Sequence, residues 1–285
     1  NMKFKNNHSI AILMATYKGA KYLSAQIDSI LAQTNHDWEL FVHDDCSPDD
    51  TMVILKGYEL KYPKLIHVMP QSQRFGGARD NFMWMLENVE SEYYMFCDQD
   101  DIWLPYKIEV TYDKIKEEER NAPNIPLMVY TDLCVADRYG FPVVQSSWKM
   151  AKMHSHWFDS LDAYLVMCKC AGCTTILNQL AKKASLPIDK RAFMHDWWIA
   201  LKTWSSGGRC VALDKATILY RQHGDNECGA PAYGRTSWWK NRLCKLRSTW
   251  QGNILMLKFM QDNTNCTAAR YWKAKVRVVL RRLFP

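Results

Sequence analysis

No stretch of this 285-residue chain keeps an apolar run of about 18 residues, so no membrane-spanning helix is expected. A secretory leader is not visible either. Met2 to His8 are polar and basic, and the apolar run Ile10 to Ala15 is too short for an h-region. The expectation is a cytoplasmic protein with reduced thiols. Its ten cysteines are scattered, and the one cluster, Cys168, Cys170 and Cys173, has no second pair or histidines at zinc spacing. That cluster reads as small residues packed in a core. Internal repeats and low-complexity linkers are lacking. Acids nearly vanish from the tail: from Arg235 onward there are twelve Lys/Arg and one acid, Asp262. The net charge of +7 therefore resides in the tail, while the body is mildly acidic. Such asymmetry points to an anionic surface touched by the C-terminus. No nucleic-acid motif accompanies it, so nucleic acid is not expected as a partner.

What is present is an alternation of strands and helices. Ile10 to Ala15, Trp38 to Asp45, Leu65 to Met69, Tyr93 to Cys97 and Leu127 to Thr131 read as strands. Between them, Tyr22, Leu23, Ile27, Ile30 and Leu31 recur at helical spacing, as do Met52, Leu55 and Leu60, and Phe82, Met85, Leu86 and Val89. Ser47 reads as an N-cap with Pro48 at the first helical position, and Pro105 opens a helix to about Arg120. The order predicts an α/β fold with a mostly parallel sheet and helices on both faces. Ligands in such sheets bind beyond the carboxyl ends of strands. Ala15-Thr16-Tyr17, Asp44-Asp45 and Asp98 to Asp101 all fall there. Residues 145–225 are rich in aromatics and Met, with helices expected near 158–167 and 195–205.

Asp98-Gln99-Asp100-Asp101 sets three carboxylates within four residues. Like charges this close repel. A divalent cation relieves the repulsion, and Mg²⁺ or Mn²⁺ prefers oxygen ligands shared with phosphates. The plainer reading is an acidic loop capping the helix after Pro105.

The run Phe96-Cys-Asp-Gln-Asp-Asp-Ile-Trp-Leu-Pro105 resembles the DxD region of inverting glycosyltransferases of family 2. Ile12-Leu-Met-Ala-Thr-Tyr17 and Val42-His-Asp-Asp-Cys-Ser47 resemble their first two strand ends. Cys46 stands where that family usually has Gly, and its Cβ argues against a positive φ. The resemblance implies a GT-A fold, a Rossmann-like mixed sheet that binds a nucleotide sugar, over residues 9–226. Residues 9–131 would be the nucleotide half and 132–226 the acceptor half, followed by a basic, aromatic helical region over 235–285. The Asp-Gln-Asp-Asp form and Tyr220-Arg-Gln-His-Gly-Asp-Asn226 resemble rhamnosyltransferase-type members of polysaccharide assembly.

Carried over by motif, Ala15, Thr16 and Tyr17 would contact the nucleotide. Asp45 would accept from the base imide, favouring a UDP- or dTDP-sugar. Asp98 would hold the ribose or a metal-bound water, and Asp100 would ligate Mg²⁺ or Mn²⁺. Arg79, preferred over Arg74 only by its motif position, would face the diphosphate, or both could be solvated arginines at a turn and helix start; Arg221 would pair with the diphosphate or merely with an acidic neighbour. His223 would reach the metal; without the resemblance it is a surface-loop histidine. Asp196 in Met194-His-Asp-Trp-Trp198 would be the general base, or an N-cap, or both. Trp197, Trp198 and Cys173 are acceptor-side candidates. His195 reads as structural.

The implied reaction moves a sugar, with rhamnose among those suggested, onto a free or lipid-linked saccharide hydroxyl in surface-polysaccharide synthesis. Rival readings are a sugar nucleotidyltransferase, whose Gly-rich loop Ala15-Thr-Tyr-Lys-Gly19 does not supply, and a non-catalytic sugar- or membrane-binding module. In the tail, Trp272, Val276, Val279 and Leu283 share one helical face, with Arg270, Lys273, Arg277 and Arg281 on another. Trp238, Trp239, Lys240, Arg242, Lys245 and Arg247 add a second such stretch. Either the helix lies on the inner face of an anionic membrane or it packs on the domain with a solvated basic face.

Overall fold

A computed structural model describes residues 3–71, 73–223 and 246–283. Residues Gly224 to Asn226 and the stretch Trp238 to Lys245 lie outside the described residues, as do the side chains of Arg247 and Leu283. The first half runs β1 (Phe4–Lys5), β2 (Ile10–Thr16), α1 (Leu23–Leu31), β3 (Trp38–Asp44), α2 (Thr51–Lys61), β4 (Ile66–Val68), α3 (Ala78–Asn88), β5 (Val89–Glu90), β6 (Tyr93–Cys97), β7 (Ile102–Trp103) and α4 (Lys107–Asn121). Next come β8 (Leu127–Ala136), β9 (Pro142–Val144), α5 (Ser147–Met150), α6 (Leu161–Tyr164), β10 (Thr175–Asn178), α7 (Gln179–Ser185), α8 (His195–Ser205) and β11 (Arg209–Arg221). Two helices close the chain, α9 (Leu246–Asn263) and α10 (Ala268–Leu283).

The main sheet has nine strands in the order β4-β3-β2-β6-β10-β8-β11-β7, with β9 added to β8. β4, β3, β2 and β6 are parallel. β10 is antiparallel to both β6 and β8, and β11 runs parallel to β8. Two reversals cancel, so β8 and β11 point the same way as β2, β3 and β6. All their carboxyl ends meet at one edge, where β10 begins.

Both sheet faces are covered, which is why the strands are continuously apolar. In β2, Ala11 and Leu13 enter one core with Phe82, Leu86 and Ile199, while Ile10, Ile12 and Met14 enter the other with Ile27, Leu55 and Ile115. Cys170 packs in the first core and Cys173 in the second. Leu257, Met260, Cys266 and Tyr271 of the C-terminal segment join the first core, so α9 and α10 are packed onto the sheet domain.

Three local expectations change. α2 starts at Thr51, not at Pro48. Ser47 is taken by buried Asp44, to which it gives its hydroxyl at 2.6 Å and its N–H at 2.8 Å. Cys46 adopts φ 61° despite its Cβ, because these bonds force a tight turn directly after β3. The helix expected near 158–167 breaks into a 3₁₀ turn, Ser155–Phe158, and the single turn of α6.

Candidate active site

A cavity of about 480 Å³ opens at the edge where the strand ends meet. Ala15, Thr16, Tyr17, Asp45, Asp98, Asp100, Cys173 and Asp196 all line it. Arg79, Arg221, His223, Trp197 and Trp198 do not.

On the nucleotide side, Tyr17 leaves the end of β2 partly exposed. Its backbone is gripped twice by Gln99, which accepts the Tyr17 N–H at 2.9 Å and donates to its carbonyl at 2.8 Å. Gly19 is required beside this grip, since a Cβ there would lie 2.2 Å from Gln99 Oε1. Arg74 sits over the Tyr17 ring, 5.0 Å from its centre, and donates to its hydroxyl at 3.0 Å. Thr16 is buried and donates to Asp44 at 2.8 Å. The two oxygens of Asp45 accept the N–H groups of Phe75 (2.5 Å) and Gly76 (2.7 Å). Asp45 thereby folds the 74–77 loop over the cavity. Of the two arginines weighed, Arg74 reaches the cavity. Arg79 is turned away: it pairs with Asp80 at 2.8 Å and donates to the carbonyls of Lys190 and Ala192. Those fixed acceptors satisfy its guanidinium fork.

The acidic loop leaves β6 at Asp98 and is clamped by β7, which pairs antiparallel with β11. This clamp brings Arg221 and His223 onto it. Arg221 is buried and does not face the cavity. Its N–H donates to Asp101 at 3.1 Å, Nε to the Asp100 carbonyl at 2.7 Å and Nη1 to the Arg138 carbonyl at 3.1 Å. It holds the loop and is not placed against a diphosphate. His223 Nε2 lies 2.7 Å from Asp100 Oδ2, and its ring stacks on Tyr22 at 4.8 Å.

Two donor sets could hold a cation. Ligand atoms of Asp98, Asp101 and Cys173 lie within 4.8 Å of one another. Burial, then the charges of Asp98 and Asp100, push the Asp101 carboxyl well above its usual range, and a thiol is a soft ligand. The carboxylate of Asp100 and the imidazole of His223, 2.7 Å apart, suit Mg²⁺ or Mn²⁺ better. Lys107 is fully buried beneath, its ammonium lowered to about 8 by burial and supported by the charges of Cys173, Cys97 and Asp101.

Across the cavity, Asp196 sits in the first turn of α8, whose N-cap is Met194. Asp196 is therefore not the cap. Its carboxylate accepts the N–H groups of Trp197 at 2.6 Å and Gly172 at 3.0 Å. Burial raises its pKa to about 6, against the pull of those two donors. Neither tryptophan forms a wall of the cavity. Trp197 Nε1 donates to the Tyr164 carbonyl and Trp198 Nε1 to that of Ser185, both at 2.6 Å. Successive helical positions point about 100° apart, so Asp196, Trp197 and Trp198 cannot share one face. His195 is buried between Phe82 and Phe96, and burial holds its imidazole neutral, near 3.

Sequence reasoning assigned no role to Gln99, Asn81 or Tyr220, all of which line the cavity. Gln99 stands inside the acidic motif, so position alone could have raised it. Tyr220 opens the motif that runs to Asn226, so it too could have been raised, whereas nothing local marks Asn81.

Residues 11–134 match the family model for glycosyl transferase family 2. The chain is similar to dTDP-rhamnosyl transferase RfbG of Shigella flexneri, 28% identical over 247 residues, 83% of this chain and 80% of that protein. It is also similar to a UDP-Glc:alpha-D-GlcNAc-diphosphoundecaprenol beta-1,3-glucosyltransferase, WfgD of Escherichia coli. That match is 31% identical over 105 residues, 37% of this chain and 40% of WfgD. Among solved structures, S. aureus TarS 1-349 in complex with UDP-GlcNAc superposes with TM-score 0.63 and 18% identity, covering 96% of this chain and 72% of TarS. Without that ligand the same fragment matches 75% of this chain and 60% of its own length, with TM-score 0.55 and 21% identity. The mannosyltransferase PcManGT of Pyrobaculum calidifontis, in complex with GDP-Man and Mn²⁺, gives TM-score 0.58 and 14% identity, covering 81% and 61% of the two chains.

Proposed function

We propose that this chain, which has the GT-A fold, is a family 2 glycosyltransferase and a metal-dependent inverting enzyme. It transfers a sugar from a UDP or dTDP donor to a saccharide hydroxyl, with Asp196 as general base. One observation carries the reading: Asp98, Asp100 and Asp196 all line a single cavity. Such a cavity seats a donor with its leaving diphosphate at the acidic loop and its anomeric carbon toward the base.

Asp100 and His223, with Asp98, are the residues that would hold Mg²⁺ or Mn²⁺, and the cation would neutralise charge on the diphosphate. Tyr17 and Arg74 bind the nucleotide end. The N–H groups of Gly172 and Trp197 fix the Asp196 carboxylate. A carboxylate poised near 6 is ionised at neutral pH yet basic enough to take a proton at Oδ as the acceptor oxygen attacks. Attack on the face opposite the diphosphate inverts the anomeric centre.

The similarity to a dTDP-rhamnosyl transferase supports rhamnose as the sugar, and the similarity to an enzyme named for a diphosphoundecaprenol acceptor supports a lipid-linked polysaccharide acceptor on the cytoplasmic face. A panel of UDP- and dTDP-sugars with Mn²⁺ or Mg²⁺ tests the reading, with nucleoside diphosphate release and product anomer as readouts. Inverted product and metal-stimulated release are expected. A retained anomer, or consumption of nucleoside triphosphate with pyrophosphate release, would sink it.

A further inference from the structure

The last helix presents a surface that the transfer reaction does not use. α10 carries six Lys/Arg and no acid. One arc of it is fastened to the body. Tyr271 and Ala274 are buried. Arg270 Nε is 2.6 Å from Asp162, with Arg277 Nη1 at 3.6 Å from the same carboxylate, and Arg281 donates to the Trp157 carbonyl. The opposite arc is apolar and faces out: Val276, Val279 and Leu280 are 57%, 41% and 50% exposed. At about 100° per residue, Val279, Val276 and Leu280 cover a continuous stripe about 100° wide, while Trp272 is half-buried and packs back against the core. Lys275 borders it on one side, Lys273 and Arg277 on the other. Lys275 also donates to Asn253 of α9, and the next two residues there, Ile254 and Leu255, are 43% and 70% exposed.

A helix stabilised only by packing turns its apolar stripe inward. Here the stripe points away from the domain, flanked by cations. A second copy of the chain would bring two acid-free helices together, cations against cations, which disfavours self-association. An anionic lipid surface satisfies both features, because it offers acyl chains to the stripe and phosphates to the flanking charges.

We infer that α10, with the Ile254–Leu255 shoulder of α9, docks in the plane of an anionic membrane through Val276, Val279 and Leu280. Docking is tied to the site by a short path. Asp162, which anchors Arg270, lies two residues before Tyr164, whose carbonyl receives Trp197 Nε1, beside Asp196. Lipid contact therefore orients the base side of the cavity relative to the membrane. The inference does not depend on which donor or acceptor is used.

Flotation of the full chain tests it, using phosphatidylcholine vesicles with and without phosphatidylglycerol. Binding is expected only with phosphatidylglycerol, falling as salt rises. The double variant Val279→Glu, Leu280→Glu should lose at least about ten-fold in partitioning, whereas Leu60→Glu, still more exposed at 81% but on α2, should bind like the unmodified chain. Circular dichroism and nucleoside diphosphate release from a soluble donor should match among all three proteins. Those two readouts keep a failure of docking distinct from a failure of the catalytic reading. Absence of flotation with phosphatidylglycerol would overturn the inference. So would equal loss for Leu60→Glu, or sedimentation velocity showing a dimer that only the α10 variant dissociates.

Discussion

His223 Nε2 and Asp100 Oδ2 lie 2.7 Å apart although 123 residues separate them in the chain. β11 brings them together: it runs parallel to β8, ends at the same edge as β6, and holds β7 directly behind the acidic loop. The pair is a carboxylate and an imidazole in direct hydrogen-bond contact, the two ligand types proposed to share the cation.

Asp100→Asn and His223→Ala should therefore each weaken Mn²⁺-dependent donor binding by at least about ten-fold. Titration calorimetry of UDP and dTDP with and without Mn²⁺ measures this. Unaltered metal-dependent affinity in either variant would remove that residue from the metal site.

The pH dependence follows from Asp196. With ionised Asp196 as the proposed base and its pKa raised to about 6 by burial, turnover should rise with pH and level off above about 6. Asp196→Asn should lower kcat by about 10²–10⁴ while leaving donor affinity within a few-fold. A pH profile flat between about 5 and 7, the window around that pKa, under saturating substrate would contradict the assignment.

Asp196 should also cost the fold some stability. A carboxyl raised from 3.8 to about 6 binds its proton more tightly in the native state. Its stabilising contribution is complete below pH 3.8 and is lost as pH rises through about 6. Between pH 4 and pH 8, Asp196→Asn should then gain about 1–2 kcal/mol relative to the unmodified protein, set against a pH-independent loss because its amide cannot accept both the Gly172 and Trp197 N–H groups. Thermal melts of both proteins at pH 4 and pH 8 should show that relative gain at the higher pH.

Arg74 and Arg79 should separate cleanly. Arg74→Ala should raise the donor KM about ten-fold through loss of its contact to the cavity, with the melting temperature nearly constant. Arg79→Ala should destabilise the fold by about 1–3 kcal/mol, since the carbonyls of Lys190 and Ala192 lose their donor. Steady-state kinetics and melts on both variants decide. The reverse pattern would mean that the roles are exchanged.

Gly172→Ala should impair turnover. A Cβ there would lie 2.4 Å from His195 Nε2, so either the ring or the Gly172 backbone must move. The Gly172 N–H that holds Asp196 would move with it. Loss of activity with intact circular dichroism is expected, and His195→Ala in the same chain should restore part of it by making room. No recovery in the double variant would show that His195 is not the obstacle.

Several expectations met in the sequence held because they rested on local chemistry. The apolar runs before Thr16, Asp44 and Asp98 form parallel strands whose ends share one edge. Others failed because a buried group elsewhere made a stronger demand. Asp44 took Ser47 from its helix cap, and the backbone around Lys190 and Ala192 took Arg79 from the cavity. Trp197 and Trp198 were acceptor-side candidates through their adjacency to Asp196, whereas a helix turns neighbours onto different faces.

Sequence alone determined the alternation of strands and helices, the acidic loop after an apolar strand, and the tail's excess of basic charge. Each depends on periodicity or composition within a few turns of chain. Only the tertiary structure decided that His223 meets Asp100, that Arg221 staples the loop, and that the apolar stripe of α10 points outward. Those outcomes depend on strand order and on competition among distant groups for buried hydrogen bonds, and no local pattern encodes them.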